Sequence, residues 1–196
     1  KKIYIILFLL TTLLIGSELS AKDQNIQYTR ENISNYFLGV ISANQDYNSK
    51  AYKHLKKVKT LKNTHYQFNI EFIRTLVLLD KFDEAFAFSR SVWDKNELLF
   101  EADLLLGLDF FVKQDYIKAE RHFKRLNKIS RYNLFFDEFI GNSLIAWSKA
   151  AQSNRQESFM FLNKVPQPYR HLRKIQNIFL QCHFDLNETQ NSFEEL

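Results

Sequence analysis

Cys182 and His183 place a thiol beside an imidazole, the residue types of nucleophilic thiol catalysis. Adjacent residues of a helix point about 100° apart, so these two cannot meet as nucleophile and base. The expectation is a buried thiol next to a surface imidazole. Gly141-Asn142-Ser143 starts like the nucleophile elbow G-x-S-x-G, but Leu144-Ile145 ends the match. His54, His65, His122 and His171 lack metal-ligand spacing and read as surface or packing residues. The sequence holds no H-E-x-x-H, no paired cysteines and no Gly-rich phosphate loop. The expectation is therefore no catalytic residue, no metal, no cofactor and no enzymatic activity.

Basic residues are the other candidates. Lys53, Lys56, Lys57, Lys59 and Lys62 crowd one helix end, and Arg121, Lys124, Arg125 and Lys128 crowd another. Cations at helix C-termini complement the helix dipole, and a net charge of +5 is modest for 196 residues. Both clusters read as solvated outer faces, Arg121, Lys124 and Arg125 included, and no nucleic-acid partner is expected.

The elements that carry these residues follow from composition. Four Gly and two Pro leave little turn punctuation, which favours long helices joined by short turns and an all-α fold. Nineteen Phe and nine Tyr suit interdigitation between stacked helices. One cysteine excludes an internal disulfide framework.

The N-terminus reads KKIYIILFLLTTLLIGSELSA: two lysines, an apolar run from Ile3 to Ile15, then small and polar residues to Ala21. This is the layout of a secretory signal peptide over residues 1–21. Thirteen helical residues span roughly 20 Å, short of the ~30 Å hydrocarbon core. Export to the periplasm is expected, with membrane contact only through this segment or through an uncleaved inner-membrane anchor facing the periplasm. Two lysines without a preceding Met, and the final NETQNSFEEL with only a first helical turn, suggest a piece of a longer chain.

A period runs through the remainder. Ala51, Ala85 and Ala119 are 34 residues apart, as are Gly39, Ile73, Gly107 and Gly141. Val58, Val92 and Leu126 repeat the interval. Leu106-Gly107, Tyr116, Ala119, Phe123 and Leu126 form the fullest copy, and Ser158, Leu162 and Val165 continue it after about five extra residues. First helices are expected near 29–43, 64–79, 97–112, 131–151 and 169–184. Second helices are expected near 48–60, 82–94, 115–128 and 155–164. Gly39, Gly107 and Gly141 should face Ala51, Ala119 and Ser158, because antiparallel helices approach closely only at small residues. Asp46, Asp80 and Asp115 stand where they could cap the following helix.

The 34-residue period, Leu-Gly pair and aromatic-x-x-Ala spacing resemble the tetratricopeptide repeat (TPR). The resemblance covers roughly residues 29–196 of a repeat domain expected over 22–196, with units about 32–65, 66–99, 100–133, 134–168 and a partial 169–196. It implies a right-handed α-solenoid of antiparallel helix pairs with about four to five repeats. It also implies a non-catalytic scaffold that binds a protein or peptide segment in a concave groove formed by the first helices. Carried onto this chain, that groove comprises Tyr36, Val40, Ile70, Arg74, Leu104, Leu108, Glu138 and Asn142, a mostly apolar set. A second reading is the docking or regulatory part of a larger secreted or membrane-tethered enzyme.

Overall fold

With so few Gly and Pro, the turns between helices have to be built from other residues. The computed structural model describes residues 28–129 and 135–194. The expected signal peptide and its cleavage point lie outside the described residues. Among those residues there are no strands. The α-helices are α1 (Arg30–Asn44), α2 (Asn48–Leu55), α3 (Tyr66–Leu78), α4 (Phe82–Val92), α5 (Phe100–Val112), α6 (Tyr116–Leu126), α7 (Gly141–Ala151), α8 (Arg155–Leu162), α9 (Arg170–His183) and α10 (Thr189–Glu194). A π-helical turn, Phe135–Ile140, leads into α7. The helix expected over 48–60 leaves α geometry at Leu55 and continues as a 3-10 helix, Lys56–Asn63, in which Val58 has φ −111° and ψ 28°.

Consecutive helices pack on one another along the chain. Within a pair they run antiparallel: Asn35 near the start of α1 bonds His54 near the end of α2, and Asp103 bonds His122 and Arg125 in the same sense across α5 and α6. The structure is thus an all-helical series of hairpins. Buried apolar residues form successive clusters along it, with Phe68, Phe72 and Phe88 in the first, Phe123 and Leu126 in the second, and Leu162 and Leu180 in the third.

One turn device closes every first helix. Asp46, Asp80, Gln114, Ser153 and Asp185 adopt φ between 51° and 62°, in the left-handed region. Each donates its N–H three residues back, and the next residue donates five residues back: Asp80 to Val77 and Lys81 to Leu76, Gln114 to Phe111 and Asp115 to Phe110. These are Schellman caps, which satisfy carbonyls that a helix end otherwise leaves unpaired. Asp46 and Asp80 are therefore the residues ending α1 and α3, not N-caps of α2 and α4. Asp115, one position later, does cap α6 by accepting from the Lys118 N–H at 3.2 Å. No glycine occupies these positive-φ sites. Replacing exposed Gln114 by Gly should relieve the left-handed strain and raise stability by about 0.5–1 kcal/mol, read as a higher denaturant midpoint with unchanged slope.

The caps also fix the repeat register: 46, 80 and 114 are 34 apart, and 153 follows after 39. Buried positions keep the same steps. Ala51, Ala85, Ala119 and Ser158 are all inaccessible, as are Leu55, Ser89 and Phe123, with Leu162 nearly so. The small residue of the fourth first helix is accordingly Ala146, buried with Leu162 in one cluster. Gly141 does not face Ser158. A Cβ there would run into the Asn127 side chain and lie 3.4 Å from the Phe123 carbonyl oxygen, both belonging to the preceding hairpin. The five extra residues enter before Gly141, on the side of the π-helical turn.

In the first and third hairpins the nearest large neighbour of the small column lies one turn beyond the Ala column. A Cβ on Gly39 would come within 2.6 Å of Leu55, and one on Gly107 would enter the Phe123 ring. In the second hairpin the sizes are exchanged: Ile73 holds the Gly position and Ser89 the Leu position, at 1% and 0% exposure. Ile73 is thus not a break in the repeat but half of a reversed pair. Tyr116 is only half-buried and meets Phe111 edge-on, with ring centroids 5.4 Å apart.

Candidate protein-binding surface

The expected groove residues divide into two groups. Ile70 and Asn142 are buried at 3% and 6% exposure, so neither can touch a ligand. Asn142 donates to the Glu138 carbonyl at 2.8 Å and accepts from Asn127 at 3.1 Å, which holds α7 against the preceding hairpin. Tyr36, Val40, Leu104, Leu108 and Glu138 are half-buried. Tyr36 packs against His65 with ring centroids 4.7 Å apart, while Leu104 and Leu108 flank the second core cluster. Arg74 is exposed, and its guanidinium reaches the Glu101 carboxylate on the neighbouring first helix at 2.7 Å.

The 39-residue step moves the fourth members of both columns. Counting from the Ser153 cap, Ser143 and Trp147 stand where Leu104 and Leu108 stand, whereas Glu138 and Asn142 are five residues early. Val40, Arg74, Leu108 and Trp147 then share one position on successive first helices. Trp147 donates its indole N–H to Gln176 on α9 at 2.7 Å, repeating the bridge between neighbouring first helices that Arg74 makes to Glu101.

One turn beyond Arg74 and Leu108 are two residues missing from the expected set. Leu78 is 61% exposed and Val112 is 80% exposed. They are 34 apart and hold the same position on α3 and α5, i+4 from Arg74 and Leu108, hence on the same helical face. The sequence carried that signal, since extending the 40/74/108 column by one turn reaches both.

Of the charged or reactive residues, Cys182 and Arg125 differ from expectation. Cys182 is exposed, not buried. Ser143 is buried within α7, and its hydroxyl has no hydrogen-bond partner, so nothing activates it. Arg125 is not on the outer face. It grips the fully buried Asp103 carboxylate at 2.9 and 3.0 Å and donates to the carbonyls of Asp94, Lys95 and Glu97. Asp103 also accepts from the Trp93 indole at 2.8 Å and from His122 at 2.9 Å. Arg121 and Lys124 are exposed as expected.

Elsewhere, ion pairs tie hairpins together. Glu120 on α6 receives Lys124 of its own helix and Lys149 of α7, and Lys149 also reaches Glu157 of α8. Burial alone would raise the Glu120 carboxyl, but the hydrogen bonds from Lys124 and Lys149 outweigh it and hold it below the ordinary carboxylate value. Glu84 behaves alike: burial opposes ionisation, and hydrogen bonds from Lys59 on the 3-10 helix and from Tyr52 on α2 overcome it. Among the described residues no group of three His, Cys, Asp or Glu is placed to hold a metal ion.

No protein-family model, curated protein or solved structure matches this chain. The surface therefore has to be interpreted from its own chemistry. It offers two exposed apolar side chains, Leu78 and Val112, at one position repeated on neighbouring first helices, which Arg74 and Glu101 bridge.

Proposed function

We propose that this chain is a non-catalytic, TPR-like right-handed helical-repeat scaffold that binds an apolar protein segment across its first helices. The observation that carries this reading is the exposed pair Leu78 and Val112, one turn from Arg74 and Leu108 at the same position of neighbouring hairpins. Positions repeated along a stack of hairpins give a ladder of equivalent contacts, and an extended segment can follow such a ladder. Leu78 and Val112 supply anchors, while the Arg74–Glu101 pair supplies a polar rim.

Panning a phage-displayed peptide library against the full chain should enrich sequences with spaced large apolar residues. The Leu78→Asp/Val112→Asp variant should lose that enrichment by about tenfold or more while keeping its helical circular dichroism. Equal enrichment on the variant would reject this face. Because both side chains are exposed, the variant should fold; Leu104→Asp would not serve, since Leu104 packs against the core.

The proposed setting is the bacterial periplasm, supported by the three-part layout of residues 1–21. N-terminal sequencing of the chain recovered from an expressing bacterium should begin near Lys22; a start that retains Ile3–Ile15 would contradict it. No helix among the described residues is long and apolar enough to cross a membrane.

A further inference from the structure

In the second arm of the first hairpin, residues 47–70 hold six lysines, at 50, 53, 56, 57, 59 and 62, and no Asp, Glu or Arg. Lys50, Lys53 and Lys57, three and four apart, lie along one face of this arm, and all three are exposed. The helix dipole accounts for only part of the row. It favours Lys53, in the last turn of α2, but Lys50 is in the first turn, where a cation is disfavoured. Later second helices treat the same positions differently. α4 has Asp83 and Glu84 in its first turn, with Ala87 and Ser91 where α2 and its extension have Lys53 and Lys57. α6 repeats the cations as Lys118, Arg121 and Arg125, but Asp115 pairs with Lys118 and Asp103 with Arg125. In the first hairpin Tyr47 and Asn35 stand where those two carboxylates stand in the third. The Lys50 ammonium lies 4.9 Å from the Tyr47 ring centroid, and among the described residues no carboxylate pairs with Lys50, Lys53 or Lys57.

A row of cations without internal counter-charges calls for an anionic partner, and its composition selects among them. Protein interfaces are depleted in lysine and anchored by aromatic residues and arginine. Base edges are read by forked guanidinium and amide groups, which the row also lacks. Lysine is a compact charge on a flexible stem, which suits a dense layer of phosphates with no fixed spacing. The sequence supplies a second argument for such a layer: a run like Ile3–Ile15 takes a chain to a bilayer, and α1–α2 is the hairpin that follows it.

We propose that the Lys50–Lys53–Lys57 row binds the anionic headgroups of a phospholipid bilayer and holds the first hairpin against it. The row is on a second arm, so Leu78 and Val112, on first helices, stay open to a protein partner. The inference shares its envelope setting with the function proposed above but none of its residues. Vesicle binding tests the row and peptide panning tests the Leu78–Val112 surface, so either can fail alone.

The test is cosedimentation of the full chain with vesicles. Mixed phosphatidylglycerol–phosphatidylcholine vesicles should bind it about tenfold or more tighter than phosphatidylcholine alone at low salt, and added salt should shrink the difference. The Lys50→Gln/Lys53→Gln/Lys57→Gln variant should lose that preference by about tenfold or more. Its helical circular dichroism should be unchanged, as should any binding to phosphatidylcholine through Ile3–Ile15. The Lys95→Gln/Lys128→Gln/Lys164→Gln variant removes the same charge from exposed lysines elsewhere and should keep most of the preference. No preference for phosphatidylglycerol, or equal losses in the two variants, would overturn the proposal. Tighter binding to duplex DNA or to polyglutamate than to the mixed vesicles would overturn it as well.

Discussion

Asp103→Ala is expected to destabilise the fold by about 3–5 kcal/mol. The Asp103 carboxylate is fully buried and accepts from Trp93, His122 and Arg125, groups drawn from the end of α4 and from α6. Removing it leaves the Arg125 guanidinium, only 12% exposed at the side chain, without its counter-charge. An uncompensated charge in that position costs far more than the net value of the pair. The same guanidinium gathers the carbonyls of Asp94, Lys95 and Glu97, so the segment between α4 and α5 should loosen too. Equilibrium denaturation measures the first effect, and faster amide exchange across residues 93–99 measures the second. Against a total stability on the order of 5–15 kcal/mol, a loss of this size would leave the hairpin pair around α5 and α6 partly open. A loss below about 1 kcal/mol would mean that the network is ornamental to folding.

That network marks one limit of reading the sequence. Arg125 near a helix C-terminus looks like a solvated cation, because dipole complementarity explains it without a partner. Its partner was visible in another way: Asn35, Asn69 and Asp103 are 34 apart, a polar column among apolar ones. All three are buried, and Asn35 bonds His54 as Asp103 bonds His122, two hairpins further on. The first three hairpins were legible because the Ala column, at a close approach of two helices, keeps one residue type at 51, 85 and 119. The fourth was harder because Gly141 and Ala146 are both small, and counting from Gly107 selects the wrong one. The step itself was readable from Ser158 and Leu162, but the turn at Ser153 places the extra residues before Gly141, and no glycine marks that turn in the sequence. The candidate surface inherited the same error, which put Glu138 and Asn142 in place of Ser143 and Trp147. Leu78 and Val112 were missed for a different reason: exposed apolar residues at the end of a helix do not show as part of a packing pattern.

The second large effect concerns the reversed pair. Ile73→Ala should cost about 2–5 kcal/mol, since it empties a site that is 1% exposed. Ser89→Leu should cost about 1–3 kcal/mol, because a branched side chain must enter a space that Ile73 already fills. Ser89 is fully buried with no partner for its hydroxyl, so the serine supplies no hydrogen bond that Leu would forfeit. Together the two changes convert the second hairpin to the arrangement of the fourth, where Ala146 and Leu162 share a cluster. Each lesion then supplies what the other lacks: the cavity left at position 73 receives the side chain added at 89.

The double-mutant cycle of Ile73→Ala and Ser89→Leu, read by urea unfolding, is the most direct test that one hairpin-packing rule recurs along this chain. The account predicts that the double variant is more stable than the sum of the single losses allows, by about 1–3 kcal/mol of coupling. Additive losses would show that positions 73 and 89 do not face each other as Gly39 and Leu55 do, and the repeat register would fall with them.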